Sequence, residues 1–388
     1  MPFYHKLGAI PHKRHTQFKK QDGKLYREEL MGLEGFSSIQ SILYHHFLPP
    51  RVTQTEDLGS AKPEYADFGP IRHRAFKTLQ TPLGADPVSA RIPLLGNNDV
   101  ILGVARPSKS MDYFYRNAQA YETWYVHEGK GMLKSQFGNL AFRAGDYIVI
   151  PFGTTWQMLI EGKEARFFTI ECPSQIEAPK RYRNDYGQLL EHAPYSERDI
   201  RLPSELETHT ERGQFEVRVK VRDRLSRHLL DYHPFDVVGW DGYLYPWIFN
   251  IADFEPITGR VHQPPPAHQT FQAHNFVVCS FVPRLFDYHP EAIPAPYNHS
   301  NVNSDEVIYY AEGNFMSRKG IDKYDISLHP YGLPHGPQPG MTEASIGKKE
   351  TTELAVMVDT FYPLNLTKQA VEMEKKEYMA SWLEGNGE

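Results

Sequence analysis

Seven of the chain's 18 histidines (His262, His268, His274, His289, His299, His329 and His335) fall between residues 262 and 335. Imidazoles gathered this way can move protons near neutral pH or bind a metal through a ring nitrogen. A single histidine beside a proline-rich turn is most simply a surface residue; it is the joint pattern that points to a site. A carboxylate, Glu306, stands among them in a segment that the chain uses twice. Glu306-Val-Ile-Tyr-Tyr-Ala-Glu-Gly313 matches Glu122-Thr-Trp-Tyr-Val-His-Glu-Gly129 at four of eight positions. Each copy is followed by Pro-x-Gly-x-x and a large side chain, Pro151 to Trp156 in the first and Pro330 to His335 in the second. Residues two apart on a strand point the same way, so groups on neighbouring strands can converge inside a barrel.

The two motifs resemble those of the cupin family of small β-barrels, which run His-x-His, Glu and Gly in the first and Pro-x-Gly-x-x-His in the second. On that resemblance the copies differ. Upstream, Asn117 and Gln119 take the two histidine positions and Trp156 the last, so Glu122 alone remains and no transition metal is expected there. Downstream, His299, Glu306 and His335 supply two imidazoles and one carboxylate. Such a trio leaves open positions on a bound metal, an arrangement favoured by non-haem Fe(II) oxygenases. The spacing alone fits manganese, nickel or zinc as well, and it fits cupins that only isomerise sugars.

Longer strings narrow the reading. Lys13-Arg14-His15-Thr16-Gln17-Phe18, Gly32-Leu33-Glu34-Gly35-Phe36, Tyr297-Asn298-His299-Ser300-Asn301 and Ser327-Leu328-His329, with Pro334-His335-Gly336-Pro337 beyond, resemble bacterial homogentisate 1,2-dioxygenases. The resemblance spans nearly the whole chain. It implies a large N-terminal β domain, a smaller C-terminal domain that carries the iron, and a homo-oligomer of trimers or paired trimers. Carried over by residue, it implies Fe(II) ligands His299, Glu306 and His335. It makes His329 a proton donor and acceptor, His262 a catalytic pocket histidine that binds a substrate hydroxyl, and Tyr297 a substrate contact. The implied reaction is homogentisate with O2 to maleylacetoacetate; a related ring acid such as gentisate is the alternative. Two departures bear on the substrate. Phe315 stands where the family often has a pocket tyrosine, and Trp240-Asp241-Gly242 replaces Trp-His-Gly. A site lacking a phenol and an imidazole is expected to select a different ring acid, because hydrogen-bonding sites discriminate sharply.

The elements that must position these residues read as mainly β. The 388 residues include 30 prolines and 28 glycines, and 13% are aromatic; short runs of Val, Ile, Tyr and Phe lie between turns. The expectation is a bicupin-like chain: residues 1–234 as an N-terminal β domain with the metal-free copy, and 235–388 as a C-terminal cupin domain with the metal. The first 70 residues read as an extended arm or small sheet. The stretch 367–383 reads as a helix, with Val371, Glu374, Tyr378 and Trp382 on one stripe and Gly385 as its stop. A net charge of −6 gives no electrostatic footprint for nucleic acid. The basic run His12–Lys24 is expected to be a solvated arm. No apolar run approaches a membrane span. Cys172 and Cys279 are too few and too far apart for a disulfide framework, which suits a reducing, cytoplasmic setting.

Overall fold

Period-two alternation along a few long strands organises the molecule. The computed structural model describes residues 3–313, 315 and 320–383. In its first barrel, Tyr121–Ser135 and Thr155–Cys172 pair antiparallel from Trp156 opposite Ser135 to Cys172 opposite Tyr121. Trp124, Val126, Trp156, Met158 and Phe167 pack together in the barrel interior. Their neighbours Tyr125, Phe168 and Ile170 point the other way, into the largest core of the protein.

A six-stranded sheet forms the second barrel. Its order is Gln269–Ala273, Phe276–Phe281, Leu354–Thr360, Asp305–Glu312, Ile326–His329, Arg74–Phe76. Along Asp305–Glu312 the same alternation sorts the side chains. Val307, Tyr309 and Ala311 join Tyr125 and Phe168 in the shared core. Ile308 and Tyr310 face the opposite way, among Cys279, Phe315, Ala355 and Met357. The barrels thus meet face to face: Phe168 stacks on Tyr309 at 4.9 Å, and His127 Nδ1 lies 2.5 Å from the Tyr309 hydroxyl. Burying large aromatics on both sides of that seam is the main drive holding the halves together. Several strands pair across residue 234. Trp247–Asn250 lies beside Asp146–Ile150 in the first sheet system, and Arg74–Phe76 lies beside Ile326–Leu328 in the second.

The N-terminal stretch forms a small sheet of order His5–Gly8, Val237–Gly242, Gln40–His45, Arg27–Gly32. Both cysteines are buried and free. Burial pushes the Cys172 thiol up to about 12 and the Cys279 thiol upward too, which makes both inert.

The tail departs from the single helix expected. Lys368–Met373 is helical, with the Thr367 hydroxyl accepting from Ala370 N–H as a cap. The helix then ends at Glu374, whose carboxylate is drawn to Arg74 Nη1 at 2.6 Å and Arg72 Nη2 at 2.8 Å. A separate 3-10 turn follows at Tyr378–Trp382. The buried ion pair overrides the helical stripe, so Glu374 serves as an anchor. Gly385, the expected stop, lies outside the described residues. Among those residues no helix is long and apolar enough to cross a membrane.

Candidate metal centre

Glu306 lies second in its strand, only 5% exposed, with His329 opposite it on one neighbouring strand and Asp359 on the other. His299 and His335 come from the loops before and after this hairpin. They are locked side by side by a two-way backbone bridge, His299 N–H to His335 O at 2.8 Å and His335 N–H to His299 O at 2.9 Å. The ligand atoms of His299, Glu306 and His335 all fall within 4.8 Å of one another. His335 Nε2 is 3.5 Å from Glu306 Oε1, and His299 Nε2 is 3.6 Å from Oε2.

Proton bookkeeping shows what such a group wants. His299 Nδ1 sits 3.1 Å from the Tyr297 carbonyl, and His335 Nδ1 sits 3.2 Å from the Leu333 carbonyl. Carbonyl oxygens only accept, so each Nδ1 carries the hydrogen and, in the neutral ring, each Nε2 presents a lone pair. Those lone pairs converge on a carboxylate, and His335 Nε2 is buried with no hydrogen-bond partner. The donor set therefore fits a divalent cation between the three side chains, with second-sphere carbonyls fixing the imidazole tautomers. Burial opposes ionisation of Glu306, but its close contacts with His299, His329 and His335 outweigh it and hold the carboxyl well below its usual range. Next to it, burial and then the Glu306 charge push the Asp359 carboxyl far upward, so Asp359 keeps its proton.

His329 is fully buried behind this trio. Its Nδ1 is 2.8 Å from Glu306 Oε1, its Nε2 is 3.1 Å from the Tyr378 hydroxyl, and its ring stacks on His335 at 4.5 Å. It does not line the cavity that opens in front of the trio. That cavity, about 460 Å³, is lined by His299 and Glu306 and, among others, by His268 and Arg284. Ile308, Tyr310, Phe315 and Met357 supply apolar and aromatic surface. Phe315 meets Tyr310 edge to face at 4.5 Å, so the position expected to lack a phenol does face the cavity. His262 and Tyr297 also line it; their rings are 5.2 Å apart and both are substantially exposed. Asp241 corrects the sequence reading. It lies in the small N-terminal sheet, paired with Arg14 at 2.8 Å, and lines no part of this cavity.

Sequence reasoning missed several residues here. His268 gives no motif signal; burial pushes its imidazole down to about 3, so it stays neutral, and its Nδ1 has no partner. Asp359 is visible only through strand register. His73, 5.5 Å from the His329 ring, comes from the far end of the chain.

In the upstream copy, Glu122 is held by Arg91 Nη1 at 2.5 Å and Asn117 Nδ2 at 2.9 Å. Lys220 holds Glu171 at 2.5 Å. The Arg91 guanidinium lies 4.5 Å over Trp124, so a protein cation occupies the interior.

Residues 103–251 match the family model described as "Homogentisate 1,2-dioxygenase N-terminal". A Saccharolobus solfataricus protein named "Putative dioxygenase SSO1533" is 46% identical over 385 residues, covering 98% of this chain and 99% of that protein. A homogentisate 1,2-dioxygenase of Rhodopseudomonas palustris is 26% identical over 71% of this chain, and the match spans 64% of that enzyme's length. Among solved structures, a cupin 2 conserved barrel domain protein from Leptotrichia buccalis covers 76% of this chain and 100% of its own, with 9% identity and a TM-score of 0.36. Two stacked barrels, repeated motifs, the family-model match and near full-length relatedness to a protein named as a putative dioxygenase lead to one assignment: the chain belongs to the homogentisate 1,2-dioxygenase family of cupin dioxygenases.

Proposed function

We propose that this protein is an Fe(II)-dependent ring-cleaving dioxygenase that opens a hydroquinone acid, with homogentisate as the first candidate and maleylacetoacetate as its product. Gentisate or a similar ring acid is the alternative. The observation that carries the reading is the convergence of two imidazoles and one carboxylate, two of the three lining an aromatic-walled cavity. Relatives named as dioxygenases support the reaction class.

His299, Glu306 and His335 would hold the metal. When bound, it would supply Lewis acidity toward a phenol and electron exchange with O2. The chain's own groups do the rest. Phe315, Tyr310 and Ile308 offer flat apolar surface for a ring and exclude water from it. His268 is a neutral imidazole in the cavity wall, and its depressed basicity keeps it from taking a proton there. Arg284 is a cation among the described residues of the cavity wall, held by Glu353 at 3.0 Å, and it suits a substrate carboxylate. His262, with Asp287 3.5 Å from its Nδ1, is placed to receive the second phenol proton. Tyr297 beside it orients the ring. In the balanced reaction one ring C–C bond breaks and both atoms of O2 enter the product. Assembly into a trimer or hexamer and a cytoplasmic setting belong to the same proposal; the mass in solution tests the first.

Oxygen uptake by the Fe(II)-loaded protein across homogentisate, gentisate and unsubstituted hydroquinone is the deciding experiment. Uptake with a ring acid, stoichiometric with loss of the ring, supports the proposal. Turnover that proceeds without O2, or equally well with zinc, rejects it in favour of an isomerase.

A further inference from the structure

We infer that the C-terminal strap, through the Tyr378 hydroxyl and the His329 ring, positions the metal-binding carboxylate. The inference rests on the reading of His299, Glu306 and His335 as a metal site and goes beyond it.

Tyr378, His329 and Glu306 form one hydrogen-bonded chain: His329 Nδ1 lies 2.8 Å from Glu306 Oε1 and His329 Nε2 lies 3.1 Å from the Tyr378 hydroxyl. A metal-binding carboxylate only accepts, so His329 Nδ1 carries the hydrogen toward Glu306. The Tyr378 hydroxyl holds the far side of the same ring, so the imidazole is fixed at both nitrogens and the Glu306 carboxylate is held in one orientation behind the site.

Tyr378 is held for this task by anchors on both sides. Glu374 is clamped by Arg72 and Arg74, the second of which lies in the strand paired with Ile326–His329. Lys375 reaches Asp325 and, at 3.1 Å, Asp322. Beyond Tyr378, Ser381 accepts from Gln338 Nε2 at 2.5 Å, and Trp382 Nε1 donates to the Gly336 carbonyl at 3.3 Å, one residue past His335. The strap therefore grips the loop that carries one ligand and the strand that carries the carboxylate's hydrogen-bond partner. Tyr378 is a positioning residue; it touches neither substrate nor metal.

The test uses the full chain with Tyr378→Phe, which keeps the ring and removes only the hydroxyl. Equilibrium dialysis against Fe(II) and Co(II) should show affinity weakened by about 10–100-fold, the usual effect of losing an outer hydrogen bond to a metal site. The Co(II) absorption bands should shift, while the unfolding midpoint of the metal-free protein stays put. A His329→Gln background separates mechanism from mere packing. There, Y378F should add almost nothing, because the imidazole through which it acts is gone. Affinity and Co(II) spectrum equal to the parent's, or effects of the two substitutions that simply multiply, would overturn the inference. If the parent protein itself takes up no metal, the metal reading fails instead, and the two failures are told apart by that one control.

Discussion

In the upstream barrel a buried carboxylate, Glu122, meets a guanidinium; in the downstream barrel its counterpart, Glu306, meets imidazole lone pairs. Strand, register and following turn are alike, yet the interiors have opposite purposes. An ionised carboxylate inside a barrel is costly without a cation. Arg91 meets that need covalently upstream, and Trp156 takes the space that His335 holds downstream, so that barrel is closed to chemistry. The downstream barrel leaves the cation to be acquired, and with it the open positions a reaction uses. The small N-terminal sheet shows a third solution. Asp236 and Glu29 lie 2.7 and 3.1 Å from the two ring nitrogens of buried His45.

The sharpest way to break this comparison is to remove the acquired cation's holders. Glu306→Gln and His335→Ala should each abolish metal uptake and bring oxygen consumption to background, measured by elemental analysis and an oxygen electrode. Turnover retained in either variant would show that the two barrels do not differ as described. Next in size, Arg91→Met strands Glu122 and should cost about 3–5 kcal/mol of stability in denaturant titration, the range for breaking a buried pair. Metal affinity should hardly move, and adding Glu122→Met should restore much of the loss. A smaller effect is expected from Phe315→Tyr, which returns a hydroxyl to the cavity wall. One new hydrogen bond is worth about 1 kcal/mol, so kcat/KM should rise roughly fivefold for the ring acid that can use it, relative to one that cannot.

The mildest test concerns the third solution. Burial lowers the His45 pKa, but hydrogen bonds to Asp236 and Glu29 more than offset this and raise it to about 9. Its contribution to stability is complete below the unfolded value near 6.5 and is lost as pH rises through about 9. Unfolding free energy should therefore decline across that window, and His45→Gln should flatten the decline.

Much of this was legible in the residues. Strand alternation and the doubled Glu-to-Gly motif placed Glu306 and His335 together before any coordinates, because period two and a short turn leave little freedom. His299 followed from the family resemblance, and the structure holds it by a backbone bridge to His335 that no spacing rule contains. Arg91 was illegible, since it stands 31 residues before Glu122 in an unremarkable strand. Tyr378 and His73 reach the site only through topology, one from after it and one from long before it in the chain. The tail was misread as one helix because a stripe of spaced side chains says nothing of the arginines waiting for Glu374. Asp241 was given a pocket role from a motif whose position in space the sequence did not reveal.

The three residues Arg74–Phe76 have a bearing on how the protein can be divided. They cap the open edge of the strand that ends in His329, although they are encoded some 250 positions earlier. A fragment starting at residue 235 would bare that edge as an unpaired row of amides, a template for sticking to its own kind. Any attempt to transplant the downstream barrel into another protein has to bring this short upstream ribbon along.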